Sequence, residues 1–181
     1  MHLRPPARLL AVGGALALAT VLSSCGFNYA TDRIYTPAAG VNDRTTDVDI
    51  LGAVVVSGQD GSGTFIASFA NNDPYAPAIV ESLTGGGDTA ELEIAGFEPI
   101  EIPAGQLVNL ADDGGLAVTG DYVIGDFVTI VVSLGDGQSA TIDIPVVPPC
   151  DEFADLDTSA PDSEDTYDCE VAPPVGTGEE H

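Results

Sequence analysis

Few residues in this chain are equipped for chemistry. The thiols are Cys25, Cys150 and Cys169; the histidines are His2 and His181, the methionine is Met1, and there is no lysine. The long middle of the chain therefore has no imidazole for general-base work and no amine for Schiff-base chemistry. It has no Gly-x-Ser-x-Gly elbow and no phosphate-cradling loop with its lysine. Carboxylates are abundant, and Glu91 with Glu93, or Glu98 with Glu101, have the composition of a glycosidase dyad. Alternate positions on short strands give the simpler account of those pairs, since they place the acids on a solvated face. A sugar cleft also usually offers Trp, and there is none. The sequence predicts no enzyme, no catalytic residues and no cofactor.

Cys25 is the residue whose context is most specific. Arg4 and Arg8 make a basic start, Leu9 to Leu22 is apolar, and the small residues Ser23 and Ser24 precede the cysteine. A basic start, a short apolar core and a small-residue exit define a secretory signal, here residues 1–24. The apolar run is short for a spanning helix, which needs about 20 such residues. Leu22-Ser23-Ser24-Cys25 resembles a bacterial lipobox. The resemblance implies that the Cys25 thiol receives a diacylglyceryl group, that the signal is cut before it, and that the new amine is often acylated. A single acyl chain binds membranes only marginally, whereas two or more anchor stably. The expected location is the extracytoplasmic face of the cell membrane, lipid-anchored through Cys25.

Charge excludes one class of partner. All 29 acids follow Cys25, while the four basic residues are Arg4, Arg8, Arg33 and Arg44. Removing residues 1–24 takes two positive charges away and moves the formal net charge from −25 to −27. Phosphate binding needs Lys and Arg, so nucleic acid is not an expected partner. The acidity reads as a solubilising surface on an exported protein or, alternatively, as a site for a divalent cation or a cationic partner.

With Cys25 assigned to lipid, Cys150 and Cys169 remain, and an oxidising compartment makes a disulfide their default. Closing a loop of that size contributes roughly 3 kcal/mol in the chain-entropy model. A cysteine-based metal site lacks a second cysteine pair or a nearby histidine. Calcium takes carboxylate and carbonyl oxygens. Asp151, Glu152, Asp155 and Asp157 crowd one end of the bridged loop, and Asp162, Glu164, Asp165 and Asp168 the other. No stretch has the EF-hand spacing with its closing Glu, so no metal ligand is assigned.

Positioning these groups falls to strands. Residues 25–46 read as a lipid-anchored linker, and residues 47–147 as the folded domain. There apolar residues recur with period two, the mark of half-buried strands. Val48, Ile50, Val54 and Val56 suggest one strand with Gly52 as a bulge; residues 64–69 suggest a second; Ile79, Val80 and Leu83 a third. Ala90, Leu92 and Ile94 alternate with Glu91 and Glu93; Ile100 to Ile102 and Leu107 to Leu110 follow. Val128 to Leu134, Gly135-Asp136-Gly137 and Ala140 to Val146 read as a hairpin. Short strands at this spacing, punctuated by Gly, Asp and Pro, predict an all-β fold, an antiparallel Greek-key β-sandwich. Residues 148–181 are acidic and poor in bulky apolar residues, and read as a mostly disordered tail around a disulfide loop.

The domain also resembles the periplasmic copper chaperones of the PCu(A)C type and the related LpqE-type actinobacterial lipoproteins. The resemblance runs from about Thr46 to Val147. It rests on Phe65 to Asn72, on Ile100-Glu101-Ile102-Pro103-Ala104-Gly105, and on the final hairpin. It implies a cupredoxin-like Greek-key sandwich. The family's Cu(I) ligands are methionines and histidines, soft donors suited to that ion. None of them has a counterpart here, because Met1, His2 and His181 are the only such residues in the chain. The expected function is a non-enzymatic binding or scaffolding lipoprotein whose partner is an envelope protein or a cell-wall component. The alternatives are metal handling, by calcium or an atypical copper site, and an enzyme of unrecognised type.

Overall fold

Strand-forming sequence dominates the structure, a computed structural model that describes residues 39–159 together with Tyr167 and Cys169. The strands in chain order are β1 (Val41–Asp43), β2 (Val48–Gln59), β3 (Ser62–Asn71), β4 (Ala78–Gly85), β5 (Glu93–Ile94), β6 (Ile100–Ile102), β7 (Leu107–Asn109), β8 (Leu116–Thr119), β9 (Phe127–Leu134) and β10 (Ser139–Val147). Helical structure among the described residues is limited to short 3-10 turns at Gly87–Thr89, Leu110–Asp113 and Asp151–Phe153. The fold is all-β.

The strands follow one hydrogen-bonded path, β5-β8-β3-β2-β10-β9-β4-β6, with β1 added to β2 and β7 to β3. The pairings are antiparallel except one. The end of β10 runs parallel to β2, with Val146 opposite Val55 and Val147 opposite Val56. This short parallel contact joins two halves whose apolar faces pack together. Phe65, Phe69, Val48 and Ile50 come from one half, and Val80, Val128, Ile130, Val132, Ile142 and Ile144 from the other, all in one buried cluster. The hairpin β9–β10 shows the predicted alternation cleanly, since each strand buries every second residue.

β2 behaves differently. Residues Ala53 to Gly58 are buried without alternation, so both faces of this strand are covered. Its bulge is real: two β2 residues fall opposite one of β3 between Leu51 and Val54, and Gly52 has φ +62°. The Asn42 side chain of β1 accepts from the Gly52 amide at 2.7 Å. A Cβ on Gly40 would lie 2.6 Å from the Gly52 carbonyl carbon, so only glycine lets β1 approach so closely. β1 thus lies on the sheet, within a stretch whose composition reads as linker.

The second face of β2 and β3 is covered by the segment after Val147. Val54, Val56 and Ile66 form a separate buried cluster against Ala111, Val147, Phe153 and Leu156. Residues 151–159 are therefore packed on the sandwich, although the whole stretch from 148 reads from composition as tail. Two apolar side chains, Phe153 and Leu156, suffice because the strip they cover is small.

Candidate functional site

The motifs singled out in the sequence meet at one end of the sandwich. β3 ends at Asn71, which is buried, and its amide nitrogen donates to the carbonyls of Ala76 at 2.8 Å, Ile102 at 3.2 Å and Pro103 at 3.3 Å. Its Oδ1 accepts from the Asp73 amide at 2.9 Å. The Gly105 amide donates to the Asp73 carbonyl at 2.8 Å. One side chain thereby ties the Asn71-Asn72-Asp73-Pro74 turn to the Pro103-Ala104-Gly105 turn. Asp73 Oδ1 then accepts from the amides of Tyr75 at 2.7 Å and Ala76 at 3.2 Å, which fixes the rest of the loop.

The facing wall is the β9–β10 turn. Gln138 Nε2 donates to Asp47 Oδ2 and Asp136 Oδ2, both at 2.7 Å, and so holds two carboxylates side by side. The Gln138 amide also donates to Asp136 Oδ1 at 2.9 Å. Between the walls lies a cleft of about 350 Å³. Val48, Ala78 and Leu134 contribute apolar lining, while Asp47, Asp73, Glu81 and Asp136 bring carboxylates to it. Tyr75, on the fixed loop, is 92% exposed. Such a cleft can accept hydrogen bonds and attract positive charge; it has no thiol, imidazole or amine in its lining.

Other polar groups have structural partners. Arg44, the one basic residue among the described residues, forms an ion pair with the largely buried carboxylate of Asp49. Asn72 Nδ2 donates to the same carboxylate at 3.0 Å. The Tyr122 hydroxyl donates to the Val118 carbonyl at 2.8 Å in the core. Burial, and secondarily the Asp157 carboxylate, push its ionisation well above the usual tyrosine range.

The sequence-predicted residues divide as follows. Cys150 and Cys169 form a disulfide with Cα atoms 5.8 Å apart. Cys25 lies outside the described residues, as do Asp162, Glu164, Asp165 and Asp168. Among the described residues, no group of three His, Cys, Asp or Glu comes together to hold a metal ion. Of the four acids at the start of the bridged loop, Asp157 is engaged by the protein itself, accepting from the Gly58 amide at 2.7 Å and from Thr64 Oγ1 at 3.1 Å. Glu91, Glu93, Glu98 and Glu101 are exposed. Copper, which the resemblance implies, does not fit the described residues, because they hold neither methionine nor histidine. The roles of Asn71, Gln138 and Asp157 escape sequence reading. Asn71 alone carried a signal, as an Asn closing a strand before a turn.

No family model matches the chain, and no curated protein matches it. Among solved structures, it is similar to the apo PCuAC domain from PmoF1, with 14% identity and a TM-score of 0.49 over 60% of this chain and 100% of that one. The apo PmoF2 PCuAC domain gives 14% and 0.48 over 61% and 98%. The copper-bound PCuAC domain from PmoF2 gives 14% and 0.47 over 60% and 99%.

Proposed function

We propose that the protein is a non-enzymatic binding module, held by lipid at Cys25 on the extracytoplasmic face of the cell membrane. Its acid-lined cleft receives a cationic group of an envelope protein or cell-wall component. One observation carries this reading: a cleft of about 350 Å³ lined by Asp47, Asp73, Glu81 and Asp136, with its two walls fixed by Asn71 and Gln138. Fixed walls lower the ordering cost of binding. Carboxylates in a concave site attract cations and are sensitive to salt.

The test is calorimetric titration of residues 26–181 with a lysine-rich peptide, Ca²⁺ and Cu(I). The peptide should bind, bind less tightly as salt rises, and bind less tightly still to Glu81→Gln. Absence of peptide binding at low salt would defeat the cationic-partner reading. Binding of Ca²⁺ or Cu(I) at micromolar or lower concentration, without peptide binding, would put metal handling in its place. Oxygen donors suit the harder ion of the two.

A further inference from the structure

We infer that residues 151–159 form a strap that opens as a unit from an otherwise intact sandwich, uncovering the apolar strip Val54, Val56 and Ile66. The strap's backbone is self-contained. Phe153, Ala154 and Leu156 donate to the carbonyls of Cys150, Asp151 and Phe153 at 2.9, 3.2 and 3.2 Å. Its attachment to the sandwich is made by side chains. Asp157 accepts from the Gly58 amide and Thr64 Oγ1, the Thr158 amide donates to Thr64 Oγ1 at 2.7 Å, and Thr158 Oγ1 donates to the Gly114 carbonyl at 2.8 Å. Phe153 and Leu156 are only half-buried over the strip. By contrast, β9 and β10 share a continuous ladder from Ser133 opposite Ser139 to Phe127 opposite Pro145.

Backbone conformation separates the strap further. The non-glycine residues with positive φ among those described are Asp151 at 52° and Asp155 at 64°, and both lie in it. Left-handed conformation costs a non-glycine residue free energy that opening would return. Segments with few buried apolar contacts and no ladder open locally at lower cost than core strands.

The disulfide is not what closes the strap. Opening lengthens the span that the bridge closes from a sequence separation of ten, Ser159 to Cys169, to one of 19, Cys150 to Cys169. Loop entropy grows only with the logarithm of length, so the bridge changes the opening equilibrium by about threefold. The catch is the carboxylate of Asp157, whose charged hydrogen bonds each contribute about tenfold or more.

The experiment is amide hydrogen exchange on the full mature protein, read by mass spectrometry. The amides of Phe153, Ala154, Leu156 and Thr158 should exchange about 100-fold or more faster than those of β9 and β10, with no dependence on low urea. Asp157→Ala, which removes both bonds, should speed the strap about 100-fold or more further and leave the hairpin unchanged. A thiol reductant, converting the bridge to two thiols as it is itself oxidised to a disulfide, should change the strap rate by no more than about threefold. Strap and hairpin exchanging at one rate with one urea dependence would overturn the inference. So would acceleration of the hairpin by Asp157→Ala, or release of the strap by orders of magnitude on reduction.

Discussion

Replacing Asn71 tests whether one buried amide organises the cleft. The side chain faces three carbonyls with two hydrogens, and its oxygen takes a third bond from the Asp73 amide. Three net hydrogen bonds at about 1 kcal/mol each put the loss in Asn71→Ala near 3 kcal/mol, with the stranded carbonyls deciding the upper end. Asn71→Asp is the sharper variant. It keeps the shape and the bond from Asp73, but it turns an oxygen instead of an N–H toward the carbonyls of Ala76, Ile102 and Pro103. A buried carboxylate facing acceptors must take up a proton or repel them, and either route costs more than the truncation. The expected order of stability is wild type, then Asn71→Ala, then Asn71→Asp, measured by urea unfolding of residues 26–181 at pH 7. Unfolding at pH 4 should narrow the gap between the two variants, because a protonated carboxyl can donate. If Asn71→Asp equals or exceeds Asn71→Ala at pH 7, the amide does not face the carbonyls as described, and the tie between the two turns fails with it.

Other outcomes follow from single groups. Cys25→Ala should move the protein from the membrane to the soluble fraction, read by fractionation; continued membrane attachment would defeat the lipid anchor. Alkylation without reductant should leave Cys150 and Cys169 unmodified in the intact mass, and two added alkyl groups would contradict the bridge. Tyr122→Phe should cost about 1 kcal/mol at pH 7 by removing the bond to Val118. Because the folded protein holds the Tyr122 proton more tightly than the unfolded chain does, its contribution is full below pH 10 and declines as pH rises above it. Tyr122→Phe should therefore lose less stability than wild type between pH 9 and 11, and equal losses would remove the buried phenol from the account.

Periodicity made the long strands legible. Val128 to Leu134 and Ala140 to Val146 each alternate without interruption because one face meets the core and the other meets water, so pattern and burial coincide. It failed where pairing, not pattern, makes the strand. β1 is three residues, and its place depends on Asn42 reaching Gly52 across the sheet. β8, Leu116–Thr119, is too short to show a period and is recruited by the Ser62–Phe65 end of β3. The alternation from Ala90 to Ile94 suggested a longer strand than forms, since a 3-10 turn at Gly87–Thr89 precedes it and only Glu93–Ile94 pairs. The unbroken run Ala53-Val54-Val55-Val56 did hold a clue. A strand buried on both faces requires a second cover, and the segment from Asp151 to Leu156 supplies it. The disulfide followed from cysteine arithmetic. The cleft did not follow from sequence at all, because Asp47, Asp73, Glu81 and Asp136 are distant in the chain and meet only through the fold.

The charge of the chain bears on how these parts are held. Arg44 is the one cation among the described residues and is spent on Asp49. Carboxylates elsewhere in that region have no cationic side chain there to pair with, so they are held by hydrogen bonds to amides and hydroxyls, as at Asp73, Asp136 and Asp157, or stand in water. The sandwich is then stabilised by its apolar cluster and its ladders, while its charges repel one another at a range set by salt. Acids can be numerous on such a surface without being needed for the fold. Their removal from exposed positions such as Glu91, in a turn, or Glu101, on β6, is expected to be tolerated. Removal from the cleft is different: Asp47, Asp73 and Asp136 are hydrogen-bonded there to Gln138 and to loop amides, so their loss also loosens the turns that form its walls.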